Sequence, residues 1–413
     1  MIELVDLENR RQRAQSIADM RTCFIVPGFH SPWNEGSKVI AKSIICGLSR
    51  RINVSVVSPV KPTSARGACG RADITRVPVL MGFPGASYVH EMRVLKAVGK
   101  VDREGAKAYH LFDGLNYSYA AAVATMYRKP VLIHSTIYDL YYMDWLDRIR
   151  YVAGSKFYAR YASIFLCSSS LVADRLLRHG IARSMIRILP PGVDSKVFRP
   201  LDTGEARKAM NIDRNAFLVS YVGTVRPMRF PWTVVIETIR QLVRDGHDNV
   251  KLHIVCPVEF YDNTGVENRR FARTILSEAK ALGLSSHVTI VQMDLREDEK
   301  VLLYNASNVV LLPFMRPVAV DPPISMLEAM ACGRVVVGSK IQSIPSIIKH
   351  RENGLLLAEV TTDELYGALR LLIEQHEEVD ALGIAARKAV VGAFDLDSVL
   401  DRLLNVYDAI GLL

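Results

Sequence analysis

The sequence lacks the features that would place the chain across a membrane, outside the cell or among metalloproteins. No apolar run approaches the roughly 18 residues that a membrane-spanning helix needs. The first residues alternate acidic and basic side chains and contain no apolar stretch of the signal-peptide type. The six cysteines and ten histidines do not recur at the spacing of metal ligands. We therefore predict a cytoplasmic protein that binds no metal and whose cysteines are reduced.

The composition is that of a soluble protein with room for two hydrophobic cores. Of the 413 residues, 49% are hydrophobic and 23% are charged, as in globular domains. Short apolar runs alternate with amphipathic stretches in both halves, which predicts two α/β domains with parallel sheets. A turn-rich segment, Pro190–Pro200, separates the two halves. The predicted divisions are an arm at 1–20, a first domain at 21–199, a second domain at 200–395 and a C-terminal helix at 396–413.

Positive charge is concentrated in the first half of the chain. Residues 1–200 contain 29 Lys and Arg against 15 Asp and Glu, whereas residues 201–413 contain 23 against 28. The basic residues are dispersed and are not interleaved with aromatic residues, so we expect no nucleic-acid partner. An anionic membrane surface or a phosphate-bearing ligand would account for the excess, and so would a solvated basic surface. The candidates are Lys38, Lys42 and the basic segment Lys61–Arg76, which is predicted to be a loop.

The most informative stretch runs from Asn308 to Gly333. It contains a strand-like run, Val309–Leu312, followed by a loop and an apolar segment with helical periodicity. Asp321 precedes a proline and is predicted to cap this helix. Glu328 interrupts the apolar helix, and an acid in such a setting needs a partner, either a ligand or a basic residue. Because the helix follows the carboxyl end of a strand, where open α/β sheets bind ligands, we predict a binding site here.

The heptapeptide Leu327–Gly333, LEAMACG, resembles the donor-binding motif of family 4 glycosyltransferases, which are retaining enzymes of the GT-B fold. The family's second glutamate corresponds to Glu328. Its first corresponds to Val320, with Asp321 one position later, and Gln342–Ser343 stand where the family has two glycines. The resemblance implies two Rossmann-like domains facing across a cleft, with the C-terminal helix crossing back to the first domain. It also implies a nucleotide-sugar donor, transfer with retention, and no metal or other cofactor.

The predicted function is transfer of a sugar from a nucleotide-diphosphate sugar to an acceptor. The charge distribution extends this prediction to a glycan or lipid-linked acceptor and to peripheral binding at the inner face of the membrane. Two alternatives remain open on the same fold. One is a non-catalytic module that binds nucleotide sugars, and the other is a nucleotide-sugar epimerase or a phosphorylase. Slow release of free sugar from the donor would distinguish an enzyme from a binding module.

The resemblance also assigns roles to residues of the central stretch. Glu328 accepts hydrogen bonds from the ribose, and the start of the helix, at Ser325, Met326 and Leu327, contacts the donor. Asp321 takes the place of the missing first glutamate in catalysis, unless it serves only as a helix cap.

Two arginines follow the first strand of the second domain and are predicted to hold the diphosphate. The family has an arginine and a lysine in this loop. Thr224 stands at the arginine position and Arg229 at the lysine position, and Arg226 supplies a second charge nearby. Because positive charge counts most where the leaving group develops negative charge, Arg229 is also assigned to catalysis.

Further candidates lie in the first domain. Asn34 and Gly36 belong to a glycine-containing loop between a strand and a helix, which the resemblance places beside donor phosphate and acceptor. His134 follows a predicted strand, and the resemblance assigns it to catalysis near the transferred sugar. A histidine of the hydrophobic core is an equally good interpretation of the same pattern.

Overall fold

The computed structural model describes residues 15–29, 31, 33, 35–60, 69–78, 86–112, 117–137, 159–258 and 264–413. These residues form two compact units. The first unit holds the described residues up to Ser31, those of Ser37–Gly192, and Leu396–Leu413. The second unit holds the described residues of Pro32–Gly36 and of Val193–Asp395.

The first unit is built on a seven-stranded parallel sheet, most of whose strands are short buried apolar runs. Its strands are β1 Arg21–Ile25, β2 Asn53–Val60, β3 Asp73–Pro78, β4 Ala108–Phe112, β5 Val131–Ser135, β6 Ile164–Cys167 and β7 Ile186–Ile188. Its helices up to Arg178 are α1 Gly36–Leu48, α2 Ala86–Arg103, α3 Tyr117–Tyr127 and α4 Ser170–Arg178. Across the sheet the strands follow the order β3-β2-β1-β4-β5-β6-β7.

The second unit is built on a six-stranded parallel sheet. Its strands are β8 Phe217–Val222, β9 Val250–Cys256, β10 Val288–Gln292, β11 Val309–Leu312, β12 Val335–Ser339 and β13 Leu355–Leu357. Its helices are α5 Thr203–Ala209, α6 Trp232–Arg244, α7 Thr264–Ala281, α8 Glu297–Ala306, α9 Ile324–Ala331, α10 Ile344–Ile347, α11 Thr362–Glu374 and α12 His376–Phe394. Across the sheet the strands follow the order β10-β9-β8-β11-β12-β13.

Each sheet contains a point at which the order of successive strands reverses. In the second unit, β9 and β10 extend the sheet on one side of β8, and β11, β12 and β13 extend it on the other. In the first unit, β2 and β3 lie on one side of β1, and β4 to β7 on the other. The loops that leave the two strands at such a point diverge, and the crevice between them is where open α/β sheets bind ligands. This architecture confirms the predicted pair of Rossmann-like domains.

The C-terminal helix α13, Leu396–Ala409, returns to the first unit. Its exposed side carries Asp397 and Asp401, which pair with Arg51 at 2.8 and 2.5 Å. Exposed ion pairs contribute little to stability, so burial of the opposite, apolar side holds the helix in place. That side consists of Leu396, Val399, Leu400, Leu403 and Leu404. The predicted return of this helix is confirmed.

Two predicted boundaries in the first unit are wrong. His134 lies within β5, not after it. The predicted loop Lys61–Arg76 ends inside β3, whose residues Asp73–Pro78 pair with β2, while residues 61–68 lie outside the described residues. In both places polar side chains interrupt the apolar run, and the strand continues because its backbone pairs with a neighbouring strand.

The prediction of six reduced cysteines is wrong for one pair. Cys46 on α1 and Cys69 form a disulfide. Gly70 permits the approach because it adopts a φ of +57°, and a Cβ there would lie 2.8 Å from the carbonyl oxygen of Cys46. The four other cysteines form no disulfide in this structure and are buried: Cys23, Cys167, Cys256 and Cys332. Sequence spacing does not reveal which cysteines a turn will bring together.

A buried polar network joins three elements of the first unit. Nε2 of His134 on β5 lies 2.8 Å from Nδ1 of His110 on β4. Nε2 of His110 lies 2.7 Å from the hydroxyl of Tyr407 on α13. The rings of Phe24 and Phe112 stack on His110 and His134 at centroid distances of 4.4 and 4.3 Å. The two imidazoles are thus packed as core side chains, and a hydrogen bond connects them.

Burial sets the charge state of this network. It lowers the pKa of His134 to about 3 and the pKa of His110 well below its ordinary value, and the nearby His134 adds to the second effect. Both rings are therefore neutral near pH 7, with one donor and one acceptor nitrogen each. If His110 donates to His134 it accepts from Tyr407, and if it accepts from His134 it donates to Tyr407.

We expect the free energy of unfolding of the first unit to decrease as the pH falls from 6.5 toward 3. In the unfolded chain the histidines protonate near pH 6.5, whereas the folded pKa is lower, so acid favours the unfolded state. Each histidine contributes at most about 1.4 kcal/mol per pH unit. Urea unfolding between about pH 7 and 5, above the titration of most carboxylates, measures this dependence. His134→Gln keeps a partner for His110 and should make the dependence shallower.

The control is His247→Gln, at a partly exposed histidine of the second unit. We expect this variant to keep the pH dependence that the wild-type chain shows for unfolding of the first unit. An identical pH dependence in the wild-type chain and in His134→Gln would contradict the assignment of neutral, buried imidazoles.

Candidate functional site

The candidate site lies at the reversal point of the second sheet, where β8 and β11 are neighbours. The loop after β8 and the loop after β11 leave these two strands at the same edge. They are joined directly, because the backbone N–H of Met315 donates to the carbonyl of Met228 at 3.0 Å. The two loops, each of which carries predicted site residues, are therefore in contact.

The loop after β8 carries both predicted arginines. Arg229 donates from Nη1 to the hydroxyl of Thr224 at 3.4 Å. Arg226 forms an ion pair with Glu267 on α7, with 2.6 Å between Nε and the carboxylate. Both arginines are partly buried. Thr224, which stands at the family's arginine position, is buried and helps to orient Arg229.

Asn268 on α7 holds this loop and was not predicted. Its side chain is fully buried, accepts from the backbone N–H of Val225 at 3.2 Å and donates to the carbonyl of Pro257 at 3.0 Å. The amide thus ties the loop after β8 to the end of β9. A signal was present in the sequence, because Asn268 shares a helix face with the buried Ala272 and Ile275. A buried polar residue at such a position needs a defined partner.

Asp321, in the loop after β11, does not cap α9. The helix begins at Ile324, its N-cap residue is Pro323, and no side chain caps it. Asp321 is fully buried and accepts from the backbone N–H of Ser343 at 3.0 Å and from the Ser343 hydroxyl. The predicted cap is therefore wrong. Asp321 lies two residues before the N-cap, and its carboxylate turns toward Ser343.

Gln342, which precedes Ser343, fixes the same loop at a second point. Its side-chain amide donates to the carbonyl of Val318 at 2.9 Å and accepts from the Val318 N–H at 2.7 Å. Gln342 itself adopts a φ of +51°, a conformation that favours glycine. The two positions at which the sequence departs from the family's glycines therefore contact the loop in which its first glutamate is missing.

Glu328 on α9 has a basic partner inside the second unit. Nζ of Lys300 lies 3.0 Å from Oε1 and 3.4 Å from Oε2, and the hydroxyl of Tyr304 donates to Oε2 at 3.0 Å. Burial raises the pKa of Tyr304 well above its ordinary value, and the charge of Glu328 raises it further. The ion pair that the sequence left open as an alternative partner is present. Lys300 and Tyr304 were not predicted, although they lie one turn apart on α8.

The remaining predicted donor contacts lie around the start of α9. Ser325 is partly exposed on the first turn, whereas Met326 and Leu327 are fully buried in the core. Gly36 is grouped with the second unit, and a Cβ on it would lie 3.2 Å from the side chain of Val320. Asn34 lies outside the described residues.

Of the predicted site residues that the structure describes, only His134 lies in the sheet of the first unit. It is 2% exposed, and its Nε2 is engaged by His110. Among the described residues, no group of three or more His, Cys, Asp and Glu side chains is arranged to hold a metal ion. No helix within the described ranges is both long and apolar enough to span a bilayer.

The chain matches two sequence families in succession. Residues 35–197 match the family described as Glycosyltransferase Family 4, and residues 202–389 match the family described as Glycosyl transferases group 1. The D-inositol 3-phosphate glycosyltransferase of Rhodococcus jostii is 25% identical over 238 residues, which cover 57% of this chain and 50% of that protein. The chain thus spans about half the length of the curated relatives it matches.

Solved structures extend the likeness over both units. Sucrose-phosphate synthase from Thermosynechococcus elongatus matches with a TM-score of 0.77 at 17% identity, covering 94% of this chain and 99% of that one. HepE from Anabaena, in complex with UDP-glucose, matches with a TM-score of 0.73 at 16% identity, covering 94% and 100%. Identities this low establish the fold alone, and that fold is the predicted GT-B fold. The two family matches lie end to end over residues 35–197 and 202–389, and they confirm the predicted resemblance to family 4 glycosyltransferases.

Proposed function

We propose that the chain transfers a sugar from a nucleotide-diphosphate sugar to an acceptor hydroxyl. One observation carries the proposal. At the reversal point of the second sheet, the loop with Arg226 and Arg229 is joined to the loop that leads to α9 and Glu328. Two cations, a helix start and a carboxylate at such a point suit a nucleotide diphosphate. The binding of UDP-glucose by HepE, a protein of the same fold, supports this choice of ligand class.

The proposed chemistry follows from where charge develops. The bond between the sugar's anomeric carbon and the diphosphate oxygen breaks, and negative charge grows on the leaving diphosphate. Arg229 and Arg226 are the fixed cations that stabilise this charge, with no metal required. The acceptor oxygen bonds to the anomeric carbon with retention of configuration, and its proton leaves with the diphosphate. Glu328 accepts from the ribose hydroxyls and orients the donor.

Asp321 has a different role in this proposal from the catalytic one that the resemblance implies. Its complete burial and its two contacts with Ser343 favour a positioning residue that holds the loop before α9. The sugar is then contacted by that loop and by the start of the helix, not by the carboxylate itself.

The proposed acceptor carries phosphate. The first 200 residues hold 29 Lys and Arg against 15 Asp and Glu, so positive charge is concentrated in the half that does not carry the donor loops. The printed name of the Rhodococcus relative, D-inositol 3-phosphate glycosyltransferase, supports an acceptor of this class. A lipid-linked phosphate at an anionic membrane offers the same chemistry as a soluble one.

We expect one member of a panel of nucleotide-diphosphate sugars to raise the melting temperature of the chain, because a ligand of the folded state stabilises it. Arg229→Ala should weaken that donor roughly tenfold, the effect of losing a hydrogen bond to a charged group. Arg226→Ala should have a smaller effect, because Arg226 is already engaged by Glu267. Turnover, measured as release of nucleoside diphosphate with and without acceptor, should persist in EDTA.

Absence of any stabilising nucleotide sugar would contradict the proposed donor class. Loss of turnover in EDTA that Mg²⁺ or Mn²⁺ restores would contradict the metal-free mechanism. Binding of a donor without transfer or slow hydrolysis would identify the alternative, a non-catalytic binding module.

Asp321→Asn should keep most of the turnover. An amide still accepts from the Ser343 N–H and is able to donate to the Ser343 hydroxyl, so the loop stays anchored. Asp321→Ala leaves the buried N–H of Ser343 without its acceptor, which costs about 1–3 kcal/mol and should lower turnover with it. Comparing kcat and thermal stability of the two variants separates the roles. Equal loss of kcat in both, with Asp321→Asn as stable as the wild type, would restore a catalytic role for the carboxylate.

We expect the chain to sediment with anionic liposomes at low salt and to be released at high salt, since each basic residue near such a surface contributes about 1 kcal/mol within a Debye length. Replacing Lys38 and Lys42 together by Ala should reduce sedimentation. The matched control replaces Lys340 and Lys349 of the second unit. Equal sedimentation with neutral and anionic liposomes, or none with either, would leave a soluble phosphate-bearing acceptor.

A further inference from the structure

We propose that Lys300 and Tyr304, both on α8, are positioning residues that hold the side chain of Glu328 oriented for the ribose of a nucleotide. The inference rests on the proposed function, because ribose recognition presupposes a nucleotide donor. Of these three residues, only Glu328 has a role that the resemblance to family 4 enzymes implies. The roles of Lys300 and Tyr304 are inferred from their contacts in this structure.

The ion pair is almost completely removed from solvent. The side chain of Lys300 is 11% exposed and that of Glu328 is 3% exposed. An acidic side chain at this depth needs a partner, because burying it unpaired is costly. The ammonium group of Lys300, 3.0 Å from Oε1, is that partner. A hydrogen bond to a charged partner is stronger and shorter than a neutral one, so it holds the Glu328 oxygens in place.

The contacts from α8 occupy fewer of the acceptor positions on Oε1 of Glu328 than on Oε2. Oε2 receives both Tyr304 and the longer contact from Lys300, whereas Oε1 receives only the contact from Lys300. An ionised carboxylate has about four acceptor positions in all. Two donors from one direction also fix the rotamer of Glu328, so the free position on Oε1 points in a defined direction before a ligand arrives.

Helix α8 is itself held firmly, which a positioning role requires. At its start, Glu299 accepts from the backbone N–H of Arg296 at 2.8 Å. Near its end, the buried Asn305 donates to the carbonyl of Arg199 at 3.0 Å and accepts from the N–H of Leu201 at 2.7 Å. Lys300 and Tyr304 lie between these two anchors, so their side chains start from a fixed backbone.

The test measures ribose recognition separately from overall binding. The probes are UDP, ADP and GDP, together with the 2′,3′-dideoxy form of whichever binds most tightly. Isothermal calorimetry gives the affinity ratio of the ribose to the dideoxy form for each variant. For the wild type we expect a ratio of roughly tenfold or more.

Lys300→Met should reduce the ratio to within about threefold of unity by lowering affinity for the ribose form alone. Tyr304→Phe keeps the ring and removes one hydrogen bond, so it should fold normally and reduce the ratio by about threefold. The double variant Lys300→Met/Glu328→Gln buries no unpaired charge and should behave as Glu328→Gln does. Lys251→Met, the same change at an exposed lysine of the second unit, should keep the wild-type ratio.

A folded Lys300→Met or Tyr304→Phe variant that keeps the wild-type ratio would overturn the positioning role, whatever its effect on stability. If the wild type binds the nucleotides with a ratio near one, the ribose assignment of Glu328 and this inference both fail. If the wild type binds none of the three diphosphates, the proposed function itself fails.

Discussion

The second unit depends on keeping one negative charge stable inside a hydrophobic layer. Glu328 lies on α9 among fully buried neighbours, where an unpaired carboxylate would cost several kcal/mol. Lys300 and Tyr304 on α8 offset part of that cost by their contacts with the carboxylate. Because α9 begins at the reversal point of the sheet, the same contacts connect α8 to the helix that starts beside β8. One buried ion pair therefore couples the packing of the unit to the geometry of its candidate site.

The first unit buries its titratable groups in a neutral network, whereas the second unit buries an ion pair. His110, His134 and Tyr407 are held by hydrogen bonds and ring stacking, and both imidazoles are neutral. A neutral network of this kind is insensitive to salt, and it responds to acid because protonation of either ring would remove an acceptor nitrogen. It also ties α13 to the centre of the sheet, so the return of the C-terminal helix is held by polar as well as apolar contacts. The interpretation of His134 as a core histidine, left open by the sequence, describes its surroundings in this structure.

The fold was predictable because the strands β8 and β11 are short apolar runs and the helices α6 and α13 have apolar residues at helical spacing, and both patterns depend only on local sequence. The position of Arg229 followed from the loop after the first strand of the second domain. Contacts between residues that lie far apart in the sequence were not predictable. Lys300 is separated from Glu328 by a strand and a loop, and Asn268 reaches Val225 across a helix and a strand. The prediction that Asp321 caps α9 is wrong for the same reason. Its carboxylate accepts from Ser343, which lies beyond α9 and β12 in the sequence.

The departures from the family motif form one connected structure. With glycines at 342 and 343, the side chains that now make three hydrogen bonds to Val318 and Asp321 would be absent, and only the bond from the backbone N–H of residue 343 to Asp321 would remain. Gln342 adopts a positive φ that disfavours a side chain, and its two bonds to Val318 offset that strain. Val320, in place of an acid, packs against Gly36, where a Cβ would come within 3.2 Å of it. The polar side chains at 342 and 343 therefore anchor the same loop that contains the apolar residue at 320 and the buried acid at 321. The anchored loop leads into α9, so the helix starts beside the reversal point of the sheet although the family's first glutamate is missing.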